Sequence, residues 1–158
     1  MRSSQAAFDL IVAEEVTSKA TYEKRYQRPE WPGVKSGVTV GIGYDLGQTA
    51  AETIRADWSG RVSADMLAQM VSASGVTCEA ANTLTAKLHN LILIPWDTAL
   101  AVHQACVVPR WEAKVVAALP NTDLLSPDCF GVLMSLTFNR GASYSKDGER
   151  YIEMRAIK

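Results

Sequence analysis

The chain has 158 residues, 47% of them apolar and 21% charged, with a formal net charge of −1. Those figures fit one globular domain that can bury its own core. They supply no whole-molecule field for nucleic acid or an anionic membrane, and the longest apolar run, Leu91–Trp96, is too short to span a bilayer.

Residues 1–7 are polar and carry no apolar signal region. A protein of this kind is made in the cytoplasm and needs another route to act elsewhere. The three cysteines, Cys78, Cys106 and Cys129, form no CxxC pair, and only His89 and His103 could assist them. No metal or other cofactor is therefore expected. The odd number suggests reduced thiols, with a Cys78–Cys106 bridge as the alternative. We read all three as small buried apolar residues.

In chain order, Phe8, Ile11, Val12, Glu15 and Val16 recur at helical spacing, and Ser3 or Ser4 could cap that helix. Residues 26–37 hold Pro29, Pro32, Gly33 and Gly37 and cannot form a regular element. From Val38 to Leu46 the pattern alternates. Val38, Val40, Ile42, Tyr44 and Leu46 point one way, and Gly37, Thr39, Gly41, Gly43 and Asp45 the other. Beyond Thr49 only helices are predicted, over 50–58, 64–72, 78–88, 97–116 (interrupted at Pro109) and 127–139. Ser63, Thr77, Asp97 and Ser126 are the candidate N-caps, and Pro127 falls at a first helical position. Residues 149–158 read as a helix that stops without a glycine cap or proline, so we expect the chain to continue past Lys158.

The chemistry concentrates in two places. Glu15 lies within the apolar arc of the first helix, whereas Glu14 is rotated roughly 100° away. A carboxyl on an apolar face is costly to ionise, as a general acid requires. The alternative is a boundary glutamate whose carboxylate reaches water. On the bare strand face, Thr39 and Asp45 are the functional side chains, with open space left by the glycines. A straight strand would hold them roughly 20 Å apart. They can cooperate only if the chain bends at Gly41 and Gly43. The alternative is a glycine-rich hairpin in which Asp45 caps a turn. Gly41-Ile42-Gly43 lacks the third glycine and the lysine of a phosphate loop.

The order of helix with Glu15, irregular stretch, then Thr39-Val40-Gly41-Ile42-Gly43 resembles phage lysozymes. The longer run Ser36–Gly47 is similar to pesticin-like muramidases, whose catalytic set is a Glu, a Thr and an Asp six residues after the Thr. A second patch, Phe130–Gly141, resembles the late helix of the same lysozymes, with its LxSLxFNxG pattern. The resemblance implies a lysozyme-like α+β fold, mostly helical, with a small β-hairpin lobe and a cleft between lobes. It makes residues 1–158 a lysozyme-like catalytic domain.

The implied activity is hydrolysis of peptidoglycan glycan strands, with inversion, by Glu15, Thr39 and Asp45. Phage lysozymes also carry an Asp between the Glu and the Thr. Here only Glu30 could stand in for it, which favours Asp45 as the second carboxylate and leaves Glu30 as its rival. Trp31, Tyr44, Asn139 and Arg140 are the candidate substrate contacts. Trp96 reads as core, and His89 and His103 as surface or core. Lytic transglycosylase and non-catalytic peptidoglycan-binding module are the alternatives. Partners other than the glycan reduce to an immunity protein, if this is an antibacterial effector rather than a phage endolysin or bacteriocin domain. Delivery to the periplasm or cell wall would then be by holin or secretion machinery.

Overall fold

The computed structural model describes residues 2–158, except for the side chain of Arg150. It is mostly helical, at 61% of the chain, with one small two-stranded antiparallel sheet, an α+β arrangement. Two compact units divide the chain. One is continuous, from Glu15 to Cys106, and the other joins residues 1–14 to Val107–Lys158. No helix among the described residues is long and apolar enough to cross a membrane.

The first helix, α1, runs Gln5–Val16 and starts where the Ser4 hydroxyl accepts the Ala7 N–H at 3.1 Å. Thr17 takes a left-handed conformation (φ 64°) and ends it. A short helix not predicted from sequence follows, α2 over Lys19–Arg25, capped by Ser18 Oγ accepting the Thr21 N–H. Its one buried residue, Tyr22, donates its hydroxyl to the Ile94 carbonyl at 2.9 Å and meets Trp96 edge-on.

The predicted strand is a hairpin, with β1 at Thr39–Val40 and β2 at Tyr44–Asp45. Gly41 and Gly43 turn the chain at φ 60° and 63°, values that a side chain would make costly. Val38, Val40, Ile42, Tyr44 and Leu46 are all buried as expected, but so are Gly37, Thr39 and Gly41 of the face expected to be bare, leaving Gly43 exposed and Asp45 half-buried. The turn itself is packed inward. A Cβ on Gly41 would touch Trp58, and the Ile42 carbonyl accepts from Nδ1 of the buried His103 at 3.2 Å. Burial pushes the His103 imidazole down to about 4, so the ring is neutral at physiological pH.

Helices α3 (Ala51–Trp58), α4 (Ala64–Ser72) and α5 (Cys78–Leu88) complete most of the continuous unit. Ser63 caps α4 as expected. Thr77 does not cap α5 through its side chain. The backbone at 77–78 pairs instead with Ser36 and Gly37, the Cys78 N–H reaching the Ser36 carbonyl at 3.0 Å. Helix α6 begins at Trp96 behind Pro95 and ends at Val102, so Asp97 sits in its first turn, where a carboxylate complements the helix dipole, rather than at the cap. The break attributed to Pro109 lies earlier. Residues His103–Val107 form a π turn and α7 resumes at Val108–Ala118. Proline cannot donate to a carbonyl one turn back, and the wider turn relieves that defect.

In the discontinuous unit α7 packs on α8 (Pro127–Arg140), with Trp111 and Phe138 rings 5.0 Å apart. Buried Glu112 accepts the N–H groups of Arg2 and Ser3 and the Ser3 hydroxyl, each at 2.8 Å, through one oxygen. The final helix, α9, spans Ile152–Ile157.

The cysteines depart from expectation. Cys78 and Cys129 are exposed and Cys106 half-buried, while the absence of a disulfide at all three agrees with the reduced state expected from their odd number. The first two occupy the opening turns of α5 and α8, which face solvent.

Gly47 joins the hairpin to the segment after α4. A Cβ there would fall on the Val76 carbonyl oxygen and 2.6 Å from the Gly37 Cα, both rigid backbone. Gly47→Ala is therefore expected to cost about 1–3 kcal/mol, as overpacking does, read as a lower urea midpoint at unchanged slope.

Candidate active site

Register decides which side chains can act together. Thr39 pairs directly with Asp45, and Val40 with Tyr44. Residues opposed in this way have Cβ atoms roughly 4.5–5.5 Å apart on one face of the sheet. The glycine bend has therefore replaced the roughly 20 Å of a straight strand with adjacency.

The other edge of β1 is also occupied. Glu30 and Thr39 exchange two backbone hydrogen bonds, at 2.9 and 2.8 Å. Glu30, Thr39 and Asp45 thus form one transverse row, with Thr39 in the middle. Sequence reading placed Glu30 in an irregular stretch and missed this pairing. The available signal was Arg28 before Pro29 and Trp31 before Pro32, since a residue preceding proline is driven into extended conformation.

The three side chains differ in surroundings. Asp45 accepts the Gly37 N–H at both oxygens, at 3.1 and 3.0 Å, and the Gln48 N–H at 3.1 Å. Asp45 thus takes the turn-capping place that the sequence offered as one of its two alternatives. A Cβ on Gly37 would collide with Asp45 Oδ1, which explains the glycine. Thr39 is buried and its hydroxyl donates to the Gly37 carbonyl over a long 3.4 Å. The Glu30 carboxyl is half-buried and has no hydrogen-bond partner among the described residues. Burial raises its pKa above the usual glutamate range, with the nearby Arg25 charge opposing the shift.

That shift has a measurable sign. A carboxyl whose pKa rises on folding favours the folded state at low pH, and the advantage disappears as pH rises through the folded value. Glu30→Gln should therefore lose less stability than the parent between about pH 4 and about pH 7, where glutamates titrate. Urea midpoints at the two pH values test this. Parallel losses in both proteins would show that Glu30 titrates like an exposed glutamate.

Glu15 occupies the last turn of α1, half-buried beside buried Val16, while Glu14 is exposed. The predicted helical face is the one observed, and Glu15 belongs with the hairpin to the continuous unit. Trp31 is half-buried and donates its indole N–H to the Ser36 carbonyl at 3.1 Å. Tyr44 lies on the core side of the hairpin, donating its hydroxyl to Asp57 at 2.6 Å and meeting Trp58 edge-on at 5.4 Å. Asn139 and Arg140 belong to the discontinuous unit, at the end of α8. Asn139 donates back to the Ser135 carbonyl of its own helix, and Arg140 pairs at the surface with Glu153 of the last helix, Ile152–Ile157, at 3.4 Å.

No family model, curated protein or solved structure matches the chain. Support for a function therefore comes from the hairpin row and its surroundings. Among the described residues there is no group of three or more His, Cys, Asp or Glu side chains that could hold a metal ion. A carboxylate beside a hydroxyl can hold and orient a water or a sugar hydroxyl.

Proposed function

We propose that this chain is a peptidoglycan muramidase with a lysozyme-like fold, cleaving the β-1,4 bond between N-acetylmuramic acid and N-acetylglucosamine. The observation that carries the reading is the direct opposition of Thr39 and Asp45 across a glycine turn. In this mechanism Glu15 protonates the leaving oxygen. Asp45 and Thr39 hold the water that attacks the opposite face of the ring, and the product is inverted. An inverting pair needs carboxyls roughly 6.5–9.5 Å apart to admit that water. The enzyme acts on the cell wall after delivery, with glycan strands as its partner.

One observation favours a second reading. The Asp45 oxygens already accept backbone N–H groups from Gly37 and Gln48. A lytic transglycosylase needs one acid and no water-holding partner, so Asp45 would then serve the hairpin alone. Clearing of purified peptidoglycan with mass analysis of the products separates these. New reducing ends support the hydrolase and anhydro-sugars the transglycosylase. Absence of products leaves a binding module.

A further inference from the structure

Helix α8 carries a row of side chains that the hairpin chemistry does not use. Asp128, Val132, Leu136 and Arg140 stand four residues apart and form one ridge along the helix. The ridge has a carboxylate at its first end, two apolar side chains in the middle and a guanidinium at its last. All four residues border a depression of about 500 Å³ whose other wall, on α1, is Ala6, Ala7 and Leu10. Its floor is rigid, since a Cβ on Gly131 would collide with the Ala7 Cβ where the two helices touch. On the other side of Val132 lies a second depression, of about 580 Å³, walled by Leu124, Leu125, Leu133 and Ile157. Val132 lines both and is 63% exposed, with Leu10 at 55% and Leu124 at 81%. The discontinuous unit thus presents a contiguous apolar surface, of the kind that marks a contact with another molecule.

The ridge is complementary to itself. Reversed end for end, it sets guanidinium against carboxylate and apolar against apolar. We propose that this face binds a second copy of the chain about a two-fold axis that places the two α8 helices antiparallel. Asp128 of each copy then meets Arg140 of the other, and Val132 meets Leu136, as an isologous interface requires. Ridges of this spacing pack side by side in the commonest class of helix crossing. Antiparallel helices also bring N-terminus to C-terminus, so their dipoles favour the same order. The two-fold sets the α1 flank against the other α1 flank, and the flank of Leu124 and Ile157 against its equivalent, so apolar surface covers apolar surface on both sides. The Arg140 pair with Glu153 lies in solvent and engages part of a five-donor group, so it leaves Arg140 able to take Asp128 as well. The apolar centre supplies affinity, and the charged ends fix the register. None of this depends on the chemistry proposed for the hairpin.

Sedimentation velocity of the full chain over about 1–100 µM, the weak end for interfaces of standard size, should show monomer passing to dimer. Val132→Glu, at an exposed position, should keep the urea midpoint and hold the chain monomeric over the same range. Asp128→Arg alone sets arginine against Arg140 at both ends of the interface, and Arg140→Asp alone sets aspartate against Asp128. Each should raise the dimer dissociation constant at least about tenfold. Mixed in equal amounts, the two variants should associate as the parent does, because each end of the mixed pair again joins a cation to an anion. A parent that stays monomeric throughout overturns the proposal and leaves the face to another occupant. A dimer that Val132→Glu leaves intact overturns it by placing the contact elsewhere. A mixture no tighter than the single variants overturns the antiparallel register.

Discussion

Glu15→Gln should reduce clearing of purified peptidoglycan by at least about 10²-fold, the lower bound for loss of a positioned proton donor. The substitution keeps the shape of the side chain and removes the proton at stake. Glu14→Gln, one position along α1 on its exposed side, should leave the rate within about twofold and the stability within about 0.5 kcal/mol, the ordinary standard of a surface residue. The two variants share helix, charge change and chemistry, and differ in the face they occupy. Far-ultraviolet circular dichroism and a urea midpoint establish that each is folded. Loss of activity in Glu14→Gln alone would put the donor on the wrong face of α1.

The second large effect concerns the row across the hairpin. Asp45→Asn should lower hydrolysis by about 10²–10⁴-fold, because a base that activates water contributes on that scale. Asparagine can still accept the Gly37 and Gln48 N–H groups through its carbonyl oxygen, so the hairpin should survive. Glu30→Gln keeps the backbone pairing with Thr39, since those bonds run through main-chain atoms. It should retain most activity. The reverse pattern assigns the base to Glu30, whose unpartnered, half-buried carboxyl has the chemistry for it. Loss in Glu15→Gln with neither row variant affected assigns the protein to single-acid transglycosylases.

Much of the fold was legible where local signals agreed. Helices α4 and α5 match their predicted bounds, because apolar spacing fixes the buried face and the preceding turns are short. Helix α2 was not legible, because a seven-residue segment with one buried side chain has almost no periodicity to read. The apolar face predicted over residues 38–46 is buried although the strand is a hairpin, whereas the open face expected between Thr39 and Asp45 is not found: Thr39 is buried, Gly37 backs onto Asp45 and Gly47, and Gly41 onto Trp58. The adjacency of Thr39 and Asp45 was legible only as a condition on Gly41 and Gly43. The place of Glu30 was not, because pairing between a proline-flanked segment and β1 is non-local and leaves no periodic trace. The cysteines misled for a similar reason. Composition ranks cysteine among buried residues, but the opening turns of α5 and α8 put Cys78 and Cys129 in solvent.

The carboxylate of Glu112 holds the main chain at Arg2 and Ser3, partners 110 and 109 residues away along the chain. A ribosome makes the chain from its N-terminus, at about 5–20 residues per second. Every residue of the unit Glu15–Cys106 has therefore been joined before Glu112 exists. Residues 2 and 3 therefore wait for a partner made about 110 residues later, and until then the apolar face of α1, Phe8, Ile11 and Val12, lacks the part of its unit that comes later in the chain. Nascent chains arrested before residue 107 should be cleaved by protease within residues 2–14 and protected over 15–106. Synthesis through residue 158 should extend protection to both. Termination before residue 107 would thus harm α1 before it harmed the hairpin.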